Sequence, residues 1–373
     1  MRGIEIEKVE TRRELNRFIK LPWKIYQGDP HWVPPLLIDM KKILNQKKNP
    51  FFKHSAADYF LAKQSGEVVG RVAAILNNNH NKFHNEKTGF FGFFESIDDP
   101  NVAQALINKA KDWCKEKCMT ALRGPMNFST NDTCGMLYEG FDSRPALMMP
   151  YNPKYYLDLL KAAGLEKTKE LYAYKMEKST PLPERFIRFA EKVKQDYSLR
   201  FRNFNLKDFD NEVKIVQSIY NDAWQSNWGF VPLNDEEFEH AAQDLKMAVD
   251  PDIVFIAEVN GEPAAFSLAL PDFNEIFKDL NGRLLPFGII KLLLNKKKIK
   301  RIRVITLGVK RKFQKKRGLA PTLYYETYMR GTEKGYTQGE FSWILEDNTL
   351  MNRALEGLGA KRYKTYAIYE TKI

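Results

Sequence analysis

Cysteine is scarce: Cys114, Cys118 and Cys134 are the three in 373 residues. An odd number without a CxxC spacing excludes a disulfide framework and a thiolate metal site, and points to a reducing, cytoplasmic compartment. Long apolar runs are missing too. Nothing approaches the roughly 18 residues a bilayer span needs, and the opening MRGIEIEKVETRREL lacks an apolar stretch after its basic residue, so neither a span nor a leader is expected. Histidine is nearly as rare, at five residues. His80 and His84 are spaced i, i+4 without a third ligand, so they read as solvated loop residues and no metal is expected. Acid is missing from one long stretch, Lys291 to Arg317, which is dense in Lys and Arg.

What is present is ordinary globular material, 43% hydrophobic and 28% charged, which excludes a disordered chain. The length suits two domains. With 59 Lys and Arg against 47 Asp and Glu, the net charge is +12. That balance suits an acidic partner such as phosphate or anionic lipid, or simply a basic, soluble surface.

The chain matches itself. DYFLAKQSGEVVGRVAAIL (from Asp58) reads like DIVFIAEVNGEPAAFSLAL (from Asp252), with Phe60/Phe255, Ala62/Ala257 and Gly66/Gly261 each 195 positions apart. Both read as β-hairpins. Further on, Gly164/Gly359 and Tyr174/Tyr369 keep the same spacing, in a helix, a Gly cap and a Tyr-rich strand. HWVPPL and NWGFVPL pair Trp32 with Trp228. One repeat therefore reads strand, helices, hairpin, strand, long helix, strand, helix, strand. This is an α/β fold in two tandem domains, 1–178 and 179–373, each a mixed, mainly antiparallel sheet flanked by helices. The Pro-rich STPLPERF marks the join.

The chemistry concentrates where the strand RIRVITLGV meets a helix beginning near Ala320. A strand entering a helix through a tight loop gathers backbone N–H groups at one point, where the helix dipole adds positive potential. Gly318 lets a phosphate approach the backbone, and Pro321 suits a first helical turn. Gln314, Lys315, Lys316, Arg317, Gly318, Leu319 and Ala320 fill, in order, the Q/R-x-x-G-x-G/A pattern. The segment thereby resembles the GCN5-related N-acetyltransferases (GNAT), and the resemblance extends over essentially the whole chain. It implies that the loop holds the pyrophosphate of acetyl-coenzyme A or a longer acyl-coenzyme A. It also implies that Leu307, Gly308 and Val309 offer backbone groups to the pantetheine arm, and that Asn348 both caps the next helix and meets the cofactor. The corresponding first-half loop, DDPNVAQ, places Asp98 and Asp99 where phosphate would bind, so the first domain is expected to be degenerate and without a coenzyme A site.

The family needs a base for the amine proton and often an acid for the thiolate. RIRVITLGV contains no acid. Glu340 is the first choice of base, because Glu340, Ser342 and Ile344 alternate onto one face, and Glu346 is the second. The family's Tyr acid falls on Leu355, which leaves Tyr363, or Tyr366 and Tyr369, as substitutes. Trp224, Trp228 and Phe230, with Gly229 and Pro232, are acceptor-pocket candidates or an aromatic plug. The segment RGPMNFSTNDTCGMLYEGFD is long enough to reach over a groove. Leu284 to Leu294 runs into lysines, as either a buried helix or an interfacial one resting on anionic membrane. The expected activity is acyl-coenzyme A-dependent N-acyl transfer to a small-molecule or lipid-like amine. The alternatives are an aminoacyl-tRNA-dependent ligase similar to the Fem enzymes and a non-catalytic acyl-coenzyme A binder. Nucleic acid is not an expected partner.

Overall fold

The computed structural model describes residues 3–373. Its contacts separate two compact units: residues 3–171, 274–294 and 364–373 form the first, and residues 172–273 and 295–363 the second.

In the first unit, β1 (Ile4–Lys8), β2 (Ala56–Gln64), β3 (Glu67–Leu76), β4 (Thr88–Ser96), β5 (Ala121–Gly124) and β6 (Met136–Glu139) precede β7 (Glu166–Glu177), which runs on into the second. The second adds β8 (Leu199–Asn203), β9 (Val254–Val259), β10 (Glu262–Pro271), β11 (Arg301–Val309), β12 (Gln338–Leu345) and the start of β13 (Lys361–Lys372). Within each unit consecutive strands pair antiparallel up to a single parallel step, β4 to β5 in one and β11 to β12 in the other. The hairpins turn at Ser65-Gly66 and Asn260-Gly261, all four residues at positive φ between 51° and 82°. That is the type I′ geometry whose twist matches the flanking strands.

The units depart from the two sequence halves in two places. Residues 369–372 of β13 pair with β5, through Tyr369↔Gly124 to Lys372↔Ala121, and residues 365–367 pair with β6, so that this strand closes the first unit's sheet. Arg123 Nε to Glu370 (2.5 Å) and Lys364 Nζ to the Ser143 carbonyl (2.8 Å) reinforce this strand. In the second unit, residues of β7 take the place beside β12. The insertion 274–294 also belongs to the first unit. Asn274 Nδ2 donates to the Pro145 carbonyl (3.0 Å), Leu37 N to the Gly282 carbonyl (2.9 Å), and Trp23 Nε1 to Asn281 Oδ1 (2.6 Å).

A long helix packs on one face of each sheet. In the first unit Pro100–Glu116 buries Val102, Leu106, Ile107 and Ala110 against Phe60, Val72, Phe91 and Leu122. Its counterpart Leu319–Glu333 buries Leu319 and Leu323 against Phe255, Ala257 and Val309. Each such side chain contributes about 1.5–3 kcal/mol by leaving water. The result is a rigid strand-to-helix corner in both units.

Candidate active site

The corner of the second unit is open. The parallel ladder between β11 and β12 starts at Arg301↔Gln338 and stops at Val304↔Phe341, although the strands continue to Val309 and Leu345. Ile305 is the extra residue of a bulge, since Leu268 faces Thr306 while Ala269 faces Val304. A bulge bends and twists its strand. From Ile305 onward β11 pairs, among the described residues, with β10 alone, and its other edge faces a wedge. The Thr306 hydroxyl is buried without a partner.

At the wide end of the wedge lies the loop Lys310–Gly318. Gln314 Nε2 donates to the Val309 carbonyl (3.3 Å), folding the loop back on the strand end. Gly318 precedes the helix with φ +84°, and a Cβ there would stand 2.5 Å from Val193 Cγ2. Lys315 and Arg317 are exposed, whereas Lys316 is bonded to Asp196 and Ser198 Oγ, both at 2.9 Å. Leu319 is buried in the core and Ala320 half-buried. Asn348 caps the helix Thr349–Gly357, its Oδ1 accepting from Met351 N at 3.3 Å. One turn on, Asn352 Nδ2 donates to the Leu345 and Glu346 carbonyls, while its Oδ1 is buried without a partner.

At the narrow end, Glu340 is fully buried opposite Arg303. Its carboxylate accepts from Ser342 Oγ (2.6 Å) and from the Tyr363 hydroxyl, so two of the expected catalytic residues are directly joined. Arg303 donates to Ser342 Oγ and to its carbonyl, both at 3.0 Å, and Arg301 is paired with Asp272. Burial works against the Arg301 charge, but Asp272, Glu340 and Tyr363 outweigh it and hold the guanidinium's pKa above its ordinary value. The two arginines escape a reading of the sequence aimed at acids, the signal available being the pair of charges at alternate positions of a strand, and Asp272 escapes it because it lies just past the end of β10, away from the strands searched. Ile344 does not share the Glu340 face, since it packs with Phe341 in the core. Glu346 lies half-buried just past the end of β12.

Trp224 lies against the strand end, where a Cβ on Gly308 would come within 2.2 Å of its ring, and it stacks on Tyr220 at 4.8 Å. Phe230 is buried behind Tyr220 at 5.7 Å, and Trp228 is half-buried. Leu355 is core. Tyr366 and Tyr369 are buried in the first unit.

The first unit's corner has the same start and a different end. The β4 to β5 ladder stops at Phe90↔Arg123. Beyond it, Met126 N donates to the Phe91 carbonyl (2.8 Å), and Asn127 Oδ1 accepts from Phe93 N (2.8 Å). A Cβ on Gly92 would lie 2.1 Å from the Met126 carbonyl oxygen. The chain plugs its own wedge. Asp99 caps the following helix, accepting from Asn101 N at 2.9 Å. His80 is no solvated loop residue: it is 2% exposed, lies 3.2 Å from Glu86, and is pushed down to about 4 by burial. Among the described residues, no group of three or more His, Cys, Asp or Glu could hold a metal ion, and no helix is long and apolar enough to cross a membrane.

Comparison with known proteins adds relatives. No family model matches the chain. It is 36% identical to a bacterial ceramide synthase of Caulobacter vibrioides, across 98% of this chain and 97% of that one. It is also 36% identical to the protein YghO of Escherichia coli, across 97% and 94%. Among solved structures, a tandem GNAT protein from the clavulanic acid pathway superposes with a TM-score of 0.60 at 12% identity, covering 99% of this chain and 98% of that chain. A GCN5-related N-acetyltransferase from Sphaerobacter thermophilus gives 0.52 at 11% identity, covering 99% and 95%.

Proposed function

Because this chain belongs to the family of the Caulobacter ceramide synthase and YghO and has the tandem GNAT fold, we propose that it moves a long acyl group from acyl-coenzyme A to a long-chain amine. The N-acyltransferase class follows from that kinship and fold. A ceramide is the amide of a fatty acid with a long-chain amino alcohol, which supports a lipid-like acceptor.

The observation that carries the reading is the open wedge between β11 and β12 with the Gln314–Ala320 loop at its mouth, set against the plugged wedge of the first unit. The free edge from Leu307 to Val309 suits the amides of pantetheine, and the Gly318 corner, with Lys315 and Arg317 beside it, suits the pyrophosphate. The first unit, with its corner closed and an acid at its helix cap, serves another purpose than coenzyme A binding. In the reaction the amine nitrogen bonds to the thioester carbonyl carbon, the C–S bond breaks, and the amine's proton must leave. We assign that proton to the Tyr363–Glu340 pair: the half-buried Tyr363 hydroxyl meets the amine, and the buried carboxylate beneath it takes up the charge change. The departing thiolate takes a proton in turn.

Two further features fit a lipid substrate. Leu285, Phe287, Ile290, Leu293 and Leu294 are 54–78% exposed, and Lys296, Lys297 and Lys298 follow them in sequence, which supports peripheral contact with an anionic bilayer. The three free cysteines support a cytoplasmic site of action.

Titration with palmitoyl-coenzyme A tests the donor site. We expect saturable binding, weakened at least tenfold by Lys315→Glu with Arg317→Glu, two exposed changes that leave the core alone. Equal binding by wild type and variant would remove the loop from the donor site.

A further inference from the structure

The bulge at Ile305 changes which face of the sheet the rest of β11 presents. Before it, Val304 lies opposite Ala269, and both pack on the side of the helix Leu319–Glu333, with Tyr324 and Tyr325. After it, Thr306 lies opposite Leu268, which packs on the other side with Phe209, Val213 and Phe266. Side chains alternate between faces along a strand, so an unbulged β11 would send residue 306 to the face of Val304. The extra residue sends Thr306 instead to the face of Arg303 and Glu340, which lie opposite each other just before the bulge. Gly308, against the Trp224 ring, continues that face toward the strand end.

The order of groups along this face matches the order of parts in an acyl donor. The Gln314–Ala320 loop and Leu307–Val309 suit pyrophosphate and pantetheine, while Tyr363 and Glu340 lie at the narrow end. The thioester is the joint between pantetheine and acyl chain, and the amine must meet it beside Tyr363. Between Gly308 and Arg303, Thr306 is the side chain that β11 sends to this face.

Thr306 is half-buried, and its hydroxyl oxygen is buried without a hydrogen-bond partner. Buried hydroxyls on the flanking strands are engaged: Ser267 Oγ pairs with Thr327 Oγ1 at 2.9 Å, and Ser342 Oγ donates to Glu340 at 2.6 Å. A hydroxyl that leaves water without finding a partner destabilises the chain, and a valine would fill the same space without that cost. A turn about the Cα–Cβ bond carries the oxygen to the residue's exposed side, where an acceptor from outside the chain can meet it. A neutral donor at this position suits a carbonyl oxygen.

We propose that the Thr306 hydroxyl donates to the thioester carbonyl oxygen of the acyl donor. When the amine nitrogen bonds to the carbonyl carbon, the C=O π pair moves onto that oxygen, and the hydrogen bond strengthens with the growing negative charge. As C=O re-forms and C–S breaks, the charge passes to the thiolate, and Thr306 keeps its proton throughout. The inference rests on the acyl transfer proposed above and adds to it a side chain that acts on the donor, as Tyr363 acts on the amine.

The test joins turnover to binding in the full chain. We expect Thr306→Val to lower kcat about 10²-fold with the palmitoyl-coenzyme A KM little changed. It should unfold at the wild-type temperature or above, because the hydroxyl it removes has no partner. Thr306→Ser keeps the hydroxyl and should recover most of the rate. In calorimetry, wild type should bind palmitoyl-coenzyme A roughly threefold or more tightly than S-hexadecyl-coenzyme A, a thioether without the carbonyl, and Thr306→Val should bind the two alike. Wild-type kcat in Thr306→Val, or a Thr306→Ser as slow as the valine variant, would overturn the proposal. If wild type makes no amide, the calorimetry decides. A carbonyl preference lost in Thr306→Val would keep Thr306 at the thioester and refute the reaction; no preference, or one unchanged in the variant, would refute the assignment of Thr306.

Discussion

Gly318 holds a left-handed φ of +84° with Val193 and Phe189 directly against its missing Cβ. Any side chain there costs about 1–2 kcal/mol in backbone conformation before the contact is counted. Gly318→Ala should therefore reduce acyl-coenzyme A affinity at least tenfold while the rest of the fold stays cooperative in thermal unfolding. Tyr363 and Glu340 make a sharper pair. Tyr363→Phe keeps the ring and removes the hydroxyl, so kcat should fall roughly 10²- to 10³-fold with the acyl-coenzyme A KM little changed. A fall in affinity alone would place Tyr363 outside the proton path. His80 sets a pH dependence of stability. Its folded pKa near 4 lies below the ordinary 6.5, so the unfolded chain takes up a proton first as pH falls, with Glu86, Arg123 and His84 facing the ring. Stability should fall between pH 6.5 and 4, by about 3 kcal/mol in all, and His80→Asn should flatten that slope in denaturant titrations. At this scale the Gly before a helix was legible as a local pattern, whereas the expected alternation of Glu340, Ser342 and Ile344 onto one face failed at Ile344, which packs in the core. Arg301, Arg303 and Asp272 were not, because what buries them is the pairing of distant strands.

The elements explain why two similar corners differ. Both parallel ladders stop early, after Val304↔Phe341 and after Phe90↔Arg123, and in the first unit Met126 and Asn127 then occupy the gap. One acyl-coenzyme A per chain is the expected calorimetric stoichiometry; two would contradict the plug. The hairpins were readable to within two residues, from apolar runs flanking a Gly-Glu turn, and β11 at both its ends. The plug was not readable, since nothing in RGPMNFSTND announces which strand edge it will meet. The helix Gly288–Asn295 was ambiguous by sequence, buried or interfacial, and its side chains are exposed. Phe287→Ser with Leu293→Ser should abolish flotation with vesicles containing phosphatidylglycerol; flotation equal to wild type would remove the membrane contact.

For the whole molecule, the repeat in the sequence and the compact units do not coincide. Residues 364–373 complete the first unit, burying Tyr366, Ala367, Ile368 and Tyr369, so a chain cut after Lys178 leaves the β5 edge uncovered. Such a fragment should be insoluble or lack cooperative unfolding, and removing residues 364–373 from the full chain should do the same to the first unit. Sequence reading found two repeats but could not assign the strand, because both halves end in the same Tyr-rich pattern and either would fit a neighbour by local preference.

The most direct test of the central claim is incubation of the purified chain with palmitoyl-coenzyme A and a long-chain amino alcohol, with the N-palmitoyl amide measured by mass spectrometry and the free thiol by titration. The account predicts amide and thiol released one to one, both falling together in Tyr363→Phe. Neither product from palmitoyl- or acetyl-coenzyme A, despite saturable donor binding, would contradict it.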